Sequence, residues 1–346
     1  DVHWGVLMSN DLRWLRLNEV LDPAGDFYNK GHMHPLGEPN MGGADPGELD
    51  FFSDGTVVIP IAGVNKVAFG KEGDFSMQRL DVGRTPTTAI ACEKFKRAFV
   101  ANTFDDSISV IDMQHEEVTA TISLGPQREL ALAERGELLF HDGRLSHDGW
   151  MTCNSCHTRG HTNGGQNDNF SDKSFGAPKL VLSLLGAKET APYAWNGGTD
   201  KLQQQIRNSN KLTMHGRAID DKQVAALEAY IHTLQPPPSV DKLRGTQDAD
   251  LISRGKEVFA ARDCAACHTP PLYTSEDTYD VGIHDKQGNT HFNPPSLRGV
   301  GQRGPYLHNA SAERLEDIFA KHGHQLNGKA LSKDELEALL AFLRSL

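Results

Sequence analysis

Along residues 98–124 apolar and polar positions alternate. Ile108 and Val110, then Val118, Ala120 and Ile122, fall at every second place, with Asp-Asp and Gln-His-Glu between the runs. That period of two predicts strands of an antiparallel meander joined by tight turns. Upstream, the run VVIPIAGVNKVAF from Val57, a polar turn and then Met77 to Gly83 repeat the scheme, a recurrence of about 40 residues. Residues 1–50 read as a more degenerate copy, with a Gly- and Pro-rich insertion from Gly31 to Pro46. Short strands repeating at such a period are the signature of propeller blades. The alternative is an ordinary antiparallel β domain that happens to repeat.

From Glu129 onward the period becomes helical. Leu130, Leu132, Leu138, Leu139 and Phe140 fit one helix; Val224, Leu227, Tyr230, Ile231 and Leu234 mark the face of another. Pro236-Pro237-Pro238 stops the second and reads as a linker. A further helical block closes with Leu336, Leu339, Leu340 and Leu343. The two blocks are copies. Arg135-Gly136 through Phe140 matches Arg254-Gly255 through Phe259, and Phe175-Gly176-Ala177-Pro178 matches Phe292-Asn293-Pro294-Pro295. Pro192-Tyr193-Ala194-Trp195-Asn196-Gly197 likewise matches Pro305-Tyr306-Leu307-His308-Asn309-Ala310.

Composition narrows the class. A chain of 346 residues with 38% hydrophobic residues can fold as two or three domains. A net charge of −11 argues against nucleic-acid binding, because phosphate contacts need clustered Lys and Arg. No apolar run approaches the ~18 residues that cross a bilayer. No secretory leader is visible at the start, so either one has been removed or the chain is a fragment.

Four of the five cysteines stand as Cys153-Asn154-Ser155-Cys156-His157 and Cys264-Ala265-Ala266-Cys267-His268; Cys92 stands alone and reads as a small buried hydrophobe. In each CxxCH the two thiols sit about one helical turn apart, placed to form thioethers to the vinyl groups of one haem. His157 and His268 then face the irons as axial ligands. A zinc site would need two CxxC pairs or a compensating Cys/His set within one domain, and a thioredoxin-type pair would need a βαβ setting. The pattern therefore predicts two covalently bound haem c groups, one per helical block.

Phe99-Val100-Ala101-Asn102 and its surroundings resemble the YVTN type of β-propeller repeat. The available length holds fewer blades than the ~4–8 of a closed propeller, so an incomplete propeller is expected. The stretch from Ala131 to Leu346 resembles the bacterial dihaem cytochrome c peroxidase superfamily, which also contains the dihaem enzyme that matures methylamine dehydrogenase. The residues that carry this likeness are LFHDGRLSHDGWMTCNSCH, GAP and PYAWNG in the first half, then RDCAACHTPP, PPSLRGV and GPYLHN in the second.

The resemblance implies specific roles. Aligning Leu315-Glu316 and Gly323 puts His322 where the family has the distal Met of its second haem, so His322 is the expected metal ligand there, with His324 as competitor. The family's displaceable distal His falls near Asn169 to Asp172, where this chain has no His. Its catalytic Glu falls near Met214 and His215, neither a carboxylate. Met214, as a metal ligand, and His215, as a catalytic group, are the remaining distal candidates; a five-coordinate first iron is the other option. Trp195 stands where the family places a tryptophan between the haems, and it is the second candidate catalytic residue. Arg298 and Arg303 are candidates for propionates, and Tyr193 and Tyr306 for packing on haem edges. The resemblance also implies a calcium ion between the haem domains, an expectation weakened by Gly176 where the family has an Asn ligand.

The expected architecture is multidomain. Residues 1–126 form an all-β part of a YVTN-like propeller, residues 127–238 a mainly-α cytochrome c domain with the first haem, and residues 239–346 a duplicate with the second. The expected function is reduction of hydrogen peroxide, or another small oxidant, at the first haem, with electrons entering through the second. A small cytochrome or a cupredoxin would be the donor. The alternatives are an electron carrier with both haems six-coordinate, or an oxidase of an organic or protein substrate. Covalent haem attachment implies export to a periplasm or cell surface, with no membrane span and no nucleic-acid partner.

Overall fold

The computed structural model describes residue 5 and residues 7–168, 175–324, 326 and 329–346. The chain folds as two compact units, residues 1–155 with 214–219, and residues 156–213 with 220–346. The division falls inside the first CxxCH, between Ser155 and Cys156.

The first unit begins with strand β1 (Asp11–Trp14), short helices α1 (Leu17–Leu21) and α2 (Phe27–Lys30), and β2 (His32–Pro35), which pairs antiparallel with β1. Two four-stranded antiparallel sheets follow in meander order. One is β3 (Asp50–Phe51), β4 (Val57–Ile61), β5 (Lys66–Gly70) and β6 (Gln78–Asp81). The other is β7 (Pro86–Cys92), β8 (Arg97–Asn102), β9 (Ser107–Asp112) and β10 (Glu117–Ser123). The repeat is visible in the corners: the 3-10 turn Ala62–Val64 ends at left-handed Asn65, and its counterpart Thr103–Asp105 ends at left-handed Asp106.

Strand β4 is buried along its whole length because both its faces are covered. Val58 joins Phe52, Val67, Phe69, Ala89, Ala98, Val100 and Ile111 in a core between the two sheets. Val57, Ile59 and Ile61 pack the other way, with Leu36, Ala68 and Met77 and against Leu12 and Trp14 of the first hairpin. Both sheets are open, and no closed propeller forms among the described residues. The degenerate first copy is a two-stranded hairpin rather than a sheet.

Helix α3 (Leu132–Phe140) and the short α4 (Cys153–Cys156) lead into the second unit. It holds β11 (Gln166–Asn167) paired with β12 (Lys179–Leu180), α5 (Leu202–Asn208), α6 (Asp221–Ile231), α7 (Val240–Arg244) and α8 (Ala249–Ala261). Then come β13 (Tyr279–Asp280), paired with β14 (His291–Phe292), α9 (Asp317–Ala320) and α10 (Lys333–Ser345).

The duplication extends to cap chemistry. Asp220 and Gln223 exchange side-chain-to-backbone bonds at the start of α6, as Ser332 and Glu335 do at the start of α10. Helices α8 and α10 cross closely: a Cβ on Gly255 would lie 2.0 Å from the Ala338 carbonyl oxygen. Among the described residues no helix is long and apolar enough to cross a membrane.

Candidate metal centres

Each CxxCH comes after a helix that contains the Arg-Gly pair, α3 in one repeat and α8 in the other. No disulfide joins any of the five cysteines. Burial pushes the Cys264 thiol up to about 11 and that of Cys267 upward as well. Thiols held protonated at neutral pH disfavour a thiolate metal cage at this motif.

The two histidines are prepared alike. His157 donates from Nδ1 to the Leu182 carbonyl at 2.9 Å, and His268 donates from Nδ1 to the Tyr273 carbonyl at 3.1 Å. This fixes the tautomer and leaves Nε2 with its lone pair. Burial holds both rings near a pKa of about 4, so they are neutral at pH 7 and ready to bind a metal.

Two half-buried arginines each keep one buried donor without an acceptor. Arg303 donates to the carbonyls of Ser296 and Leu185, and Arg298 to that of Gly186 and to Glu189, yet the Nε of each has no partner among the described residues. Burial, then the neighbouring Arg298 charge, lowers Arg303 to about 10. Two neighbouring half-buried cations with a buried Nε donor to spare on each suit an anion, and haem propionates would supply one. The donor set thus fits haem c at both motifs.

With that chemistry in place, the comparisons are direct. Residues 131–241 match the di-haem cytochrome c peroxidase family, and residues 252–346 match the cytochrome c family. The chain carries a di-haem peroxidase domain and a cytochrome c domain. These two domains, with homologues named as cytochrome c peroxidases and MauG, support a di-haem cytochrome of the peroxidase superfamily and indicate two covalently bound haem c groups.

The chain is 24% identical over 309 residues to cytochrome c551 peroxidase of Pseudomonas aeruginosa, across 70% of this chain and 89% of that protein. It is 23% identical over 276 residues to methylamine utilization protein MauG of Methylophilus methylotrophus, across 63% of this chain and 82% of that protein. In fold it is similar to a structure of Kuenenia stuttgartiensis hydrazine synthase under xenon, with a TM-score of 0.54 and 21% identity over 66% of this chain and 99% of that one.

The remaining candidates of this di-haem cytochrome fall as follows. His322 lies beside the Ser311 carbonyl, Nε2 to oxygen 3.3 Å. Its neighbour His324 instead turns its ring to His268, centroids 6.5 Å apart. Two imidazoles sharing one metal at the ~2 Å typical of His ligands stand about 6 Å apart by centroid. The two histidines therefore have different surroundings: His322 lies against the Ser311 carbonyl, and the ring of His324 lies toward His268.

Met214 is buried with Trp150 and Met151, against Met8 and Cys153 of the first motif. Its carbonyl accepts from the His147 amide at 3.0 Å. His215, next to it, is exposed and adopts φ of 51°. His161 bonds Ser183 and the Gln302 carbonyl.

Tyr193 and Tyr306 each donate to the first carbonyl of a duplicated 3-10 turn, Ala187 and Val300. Trp195 donates from Nε1 to the Leu180 carbonyl at 2.7 Å and meets His308 edge-to-face. The amide of Gly176 donates to Asp168. Asn169 to Asp172 lie outside the described residues.

Sequence reasoning missed two groups. His308 is buried, stacked on Phe292 at 4.2 Å, and neither ring nitrogen has a partner among the described residues. Its equivalence to Trp195 was the available signal. Asp45 had none: a lone Asp in a Gly-rich insertion looks like a turn residue, and its partners come from far along the chain.

Proposed function

We propose that this di-haem cytochrome reduces hydrogen peroxide at its first haem, with electrons delivered through the second. The observation that carries the reading is the asymmetry of the two sites. His324 facing His268 supports a second iron with both axial positions filled, a centre that relays electrons and binds no substrate. Among the described residues no histidine ring faces His157, which supports a first iron that an oxidant can reach. The bound haem supplies one-electron chemistry. The protein's own part is to hold His157 neutral, keep Met214 packed beside Cys153, and anchor charge at Arg298 and Arg303.

Relatives named as peroxidases support the same class of substrate. A small redox protein, a c-type cytochrome or a cupredoxin, is the proposed donor. Covalent haem argues for an exported, periplasmic or cell-surface location. The two open sheets are read as adjacent propeller blades: both are four-stranded meanders with the same left-handed corner. Ile90, Phe95, Ile122 and Leu124 of the second sheet are exposed.

A specific departure favours a second reading, that of an electron carrier. Met214 and His215 stand where the family has its Glu, and O–O cleavage benefits from a general acid/base at that place. The test is turnover. With reduced monohaem cytochrome c as donor, added peroxide should oxidise two donors per peroxide. Donor that exchanges electrons with the loaded protein but shows no peroxide-dependent oxidation would leave the carrier.

A further inference from the structure

Asn154 and Ser155, the two residues inside the first CxxCH, are polar, whereas their counterparts Ala265 and Ala266 are not. Haem attachment does not require that difference. The structure supplies a reason for it in the β-rich unit.

Asp45 lies between β2 and β3, and its carboxylate is largely buried, 12% exposed. Its Oδ2 accepts from Thr152 Oγ1 at 2.7 Å and from Asn154 Nδ2 at 3.0 Å, and its Oδ1 accepts from Ser155 Oγ at 2.9 Å. His141 Nδ1 stands 3.6 Å from Oδ2. Thr152 and Ser155 also bond each other's amides, Thr152 N to Ser155 Oγ at 3.0 Å and Ser155 N to Thr152 Oγ1 at 3.1 Å. One carboxylate therefore grips the first turn of α4 through both residues between the haem-binding thiols.

The frame around Asp45 is rigid. Its carbonyl accepts from the Ala62 amide at 2.9 Å, in the corner of the first sheet. The amides of Gly42 and Ala44 donate to the carbonyls of Asp148 at 2.7 Å and Gly149 at 3.2 Å. Ala44 is fully buried, and a Cβ on Gly42 would lie 2.3 Å from the Gly149 backbone. Asp45 itself has φ of 49°, a left-handed conformation that Asp tolerates better than most residues. So the segment has no slack, and the carboxylate is presented at a fixed place.

We propose that Asp45 is a positioning residue for the first haem: through it the β-rich unit sets the geometry of the Cys153–Cys156 turn and lowers the first haem's reduction potential. A buried negative charge beside a haem favours the ferric form, and net charge and hydrogen bonding are among the protein's levers on potential. The second motif has alanines at these places and so provides an internal control. The inference does not depend on peroxide turnover.

The experiment is a redox titration of the holoprotein, followed by absorbance and EPR, for the parent and for D45N. Asn keeps the shape and removes the charge. Both haems should load, the first haem's midpoint should rise, and the second's should stay put. A first-haem midpoint unchanged in fully loaded D45N, or equal shifts at both haems, overturns the proposal. If D45N does not accumulate with both haems, N154A/S155A removes the carboxylate's partners while giving the motif the spacers of its twin. It should then alter the first haem's potential and EPR signal alone, and no change there also overturns the proposal.

Discussion

Trp195 and His308 occupy equivalent places in the two repeats and meet edge-to-face, ring centroids 6.3 Å apart at 74°. The backbone repeats the relationship reciprocally: the Trp195 carbonyl accepts from the Asn293 amide, and the His308 carbonyl accepts from the Leu180 amide, each at 2.7 Å. The duplication thus joins at these two rings. Both residues follow a left-handed residue, Ala194 and Leu307, each at φ of 68°.

The two rings should respond differently to replacement. W195F strands the Leu180 carbonyl and should cost about 1–3 kcal/mol, read by thermal or denaturant unfolding. H308F removes two unpartnered nitrogens and stacks on the same Phe292, so it should cost less than W195F or stabilise. If Trp195 couples the haems, W195F also slows electron transfer between them without moving either potential. Equal stability losses in the two variants would contradict the geometry.

At the second haem, H324A should convert the ferric spectrum of that centre from low-spin to high-spin. H322A should leave it low-spin, because its ring bonds the Ser311 carbonyl and makes no contact with His268. The reverse pattern would restore His322 as the ligand. Absorbance and EPR of the two holoproteins separate these outcomes.

Lys179 and Asp285 form a buried ion pair across the repeats, 3.1 Å apart and 5% and 1% exposed. Burial raises Asp285, but bonds from Asn289, Lys179 and the Gln287 amide outweigh it and hold the group at about 2. Because the folded state binds the proton more weakly than the unfolded chain, the stabilisation is complete above the ordinary Asp value of ~3.9. It is lost as pH falls from about 4 to about 2. K179M leaves the carboxylate buried without its cation and should cost about 3–5 kcal/mol at pH 7, with D285N/K179M recovering much of the loss. Unfolding midpoints at pH 7 and pH 3 test both statements.

Gly255 sits where α8 crosses α10, and a methyl there would press on the Ala338 carbonyl. G255A should therefore destabilise the second cytochrome domain by about 1–3 kcal/mol despite alanine's better helix propensity. A raised melting temperature would mean that the helices part without cost.

What could be read from the sequence follows the range of the interactions. Period-two alternation around Ile108 and Val118 and the apolar stripe through Leu336 and Leu343 are local, and both elements form. The CxxCH residues are legible because chemistry fixes their spacing, and the repeated Pro-Tyr segment revealed the duplication. The choice between His322 and its competitor His324 is not legible in the sequence, because a two-residue difference depends on how the chain turns after α9, which no periodicity records. Asp45 was invisible for a different reason: its meaning comes from Thr152, Asn154 and Ser155, which only the fold brings to it.

The account's central claim is that the second haem is closed and the first is where oxidant reacts. The most direct test is EPR of the half-reduced holoprotein before and after hydrogen peroxide. The account predicts that a high-spin ferric signal from the first haem is present and is consumed by peroxide, while the second haem stays low-spin. Two low-spin centres, neither responding to peroxide in the oxidised or the half-reduced protein, would contradict it.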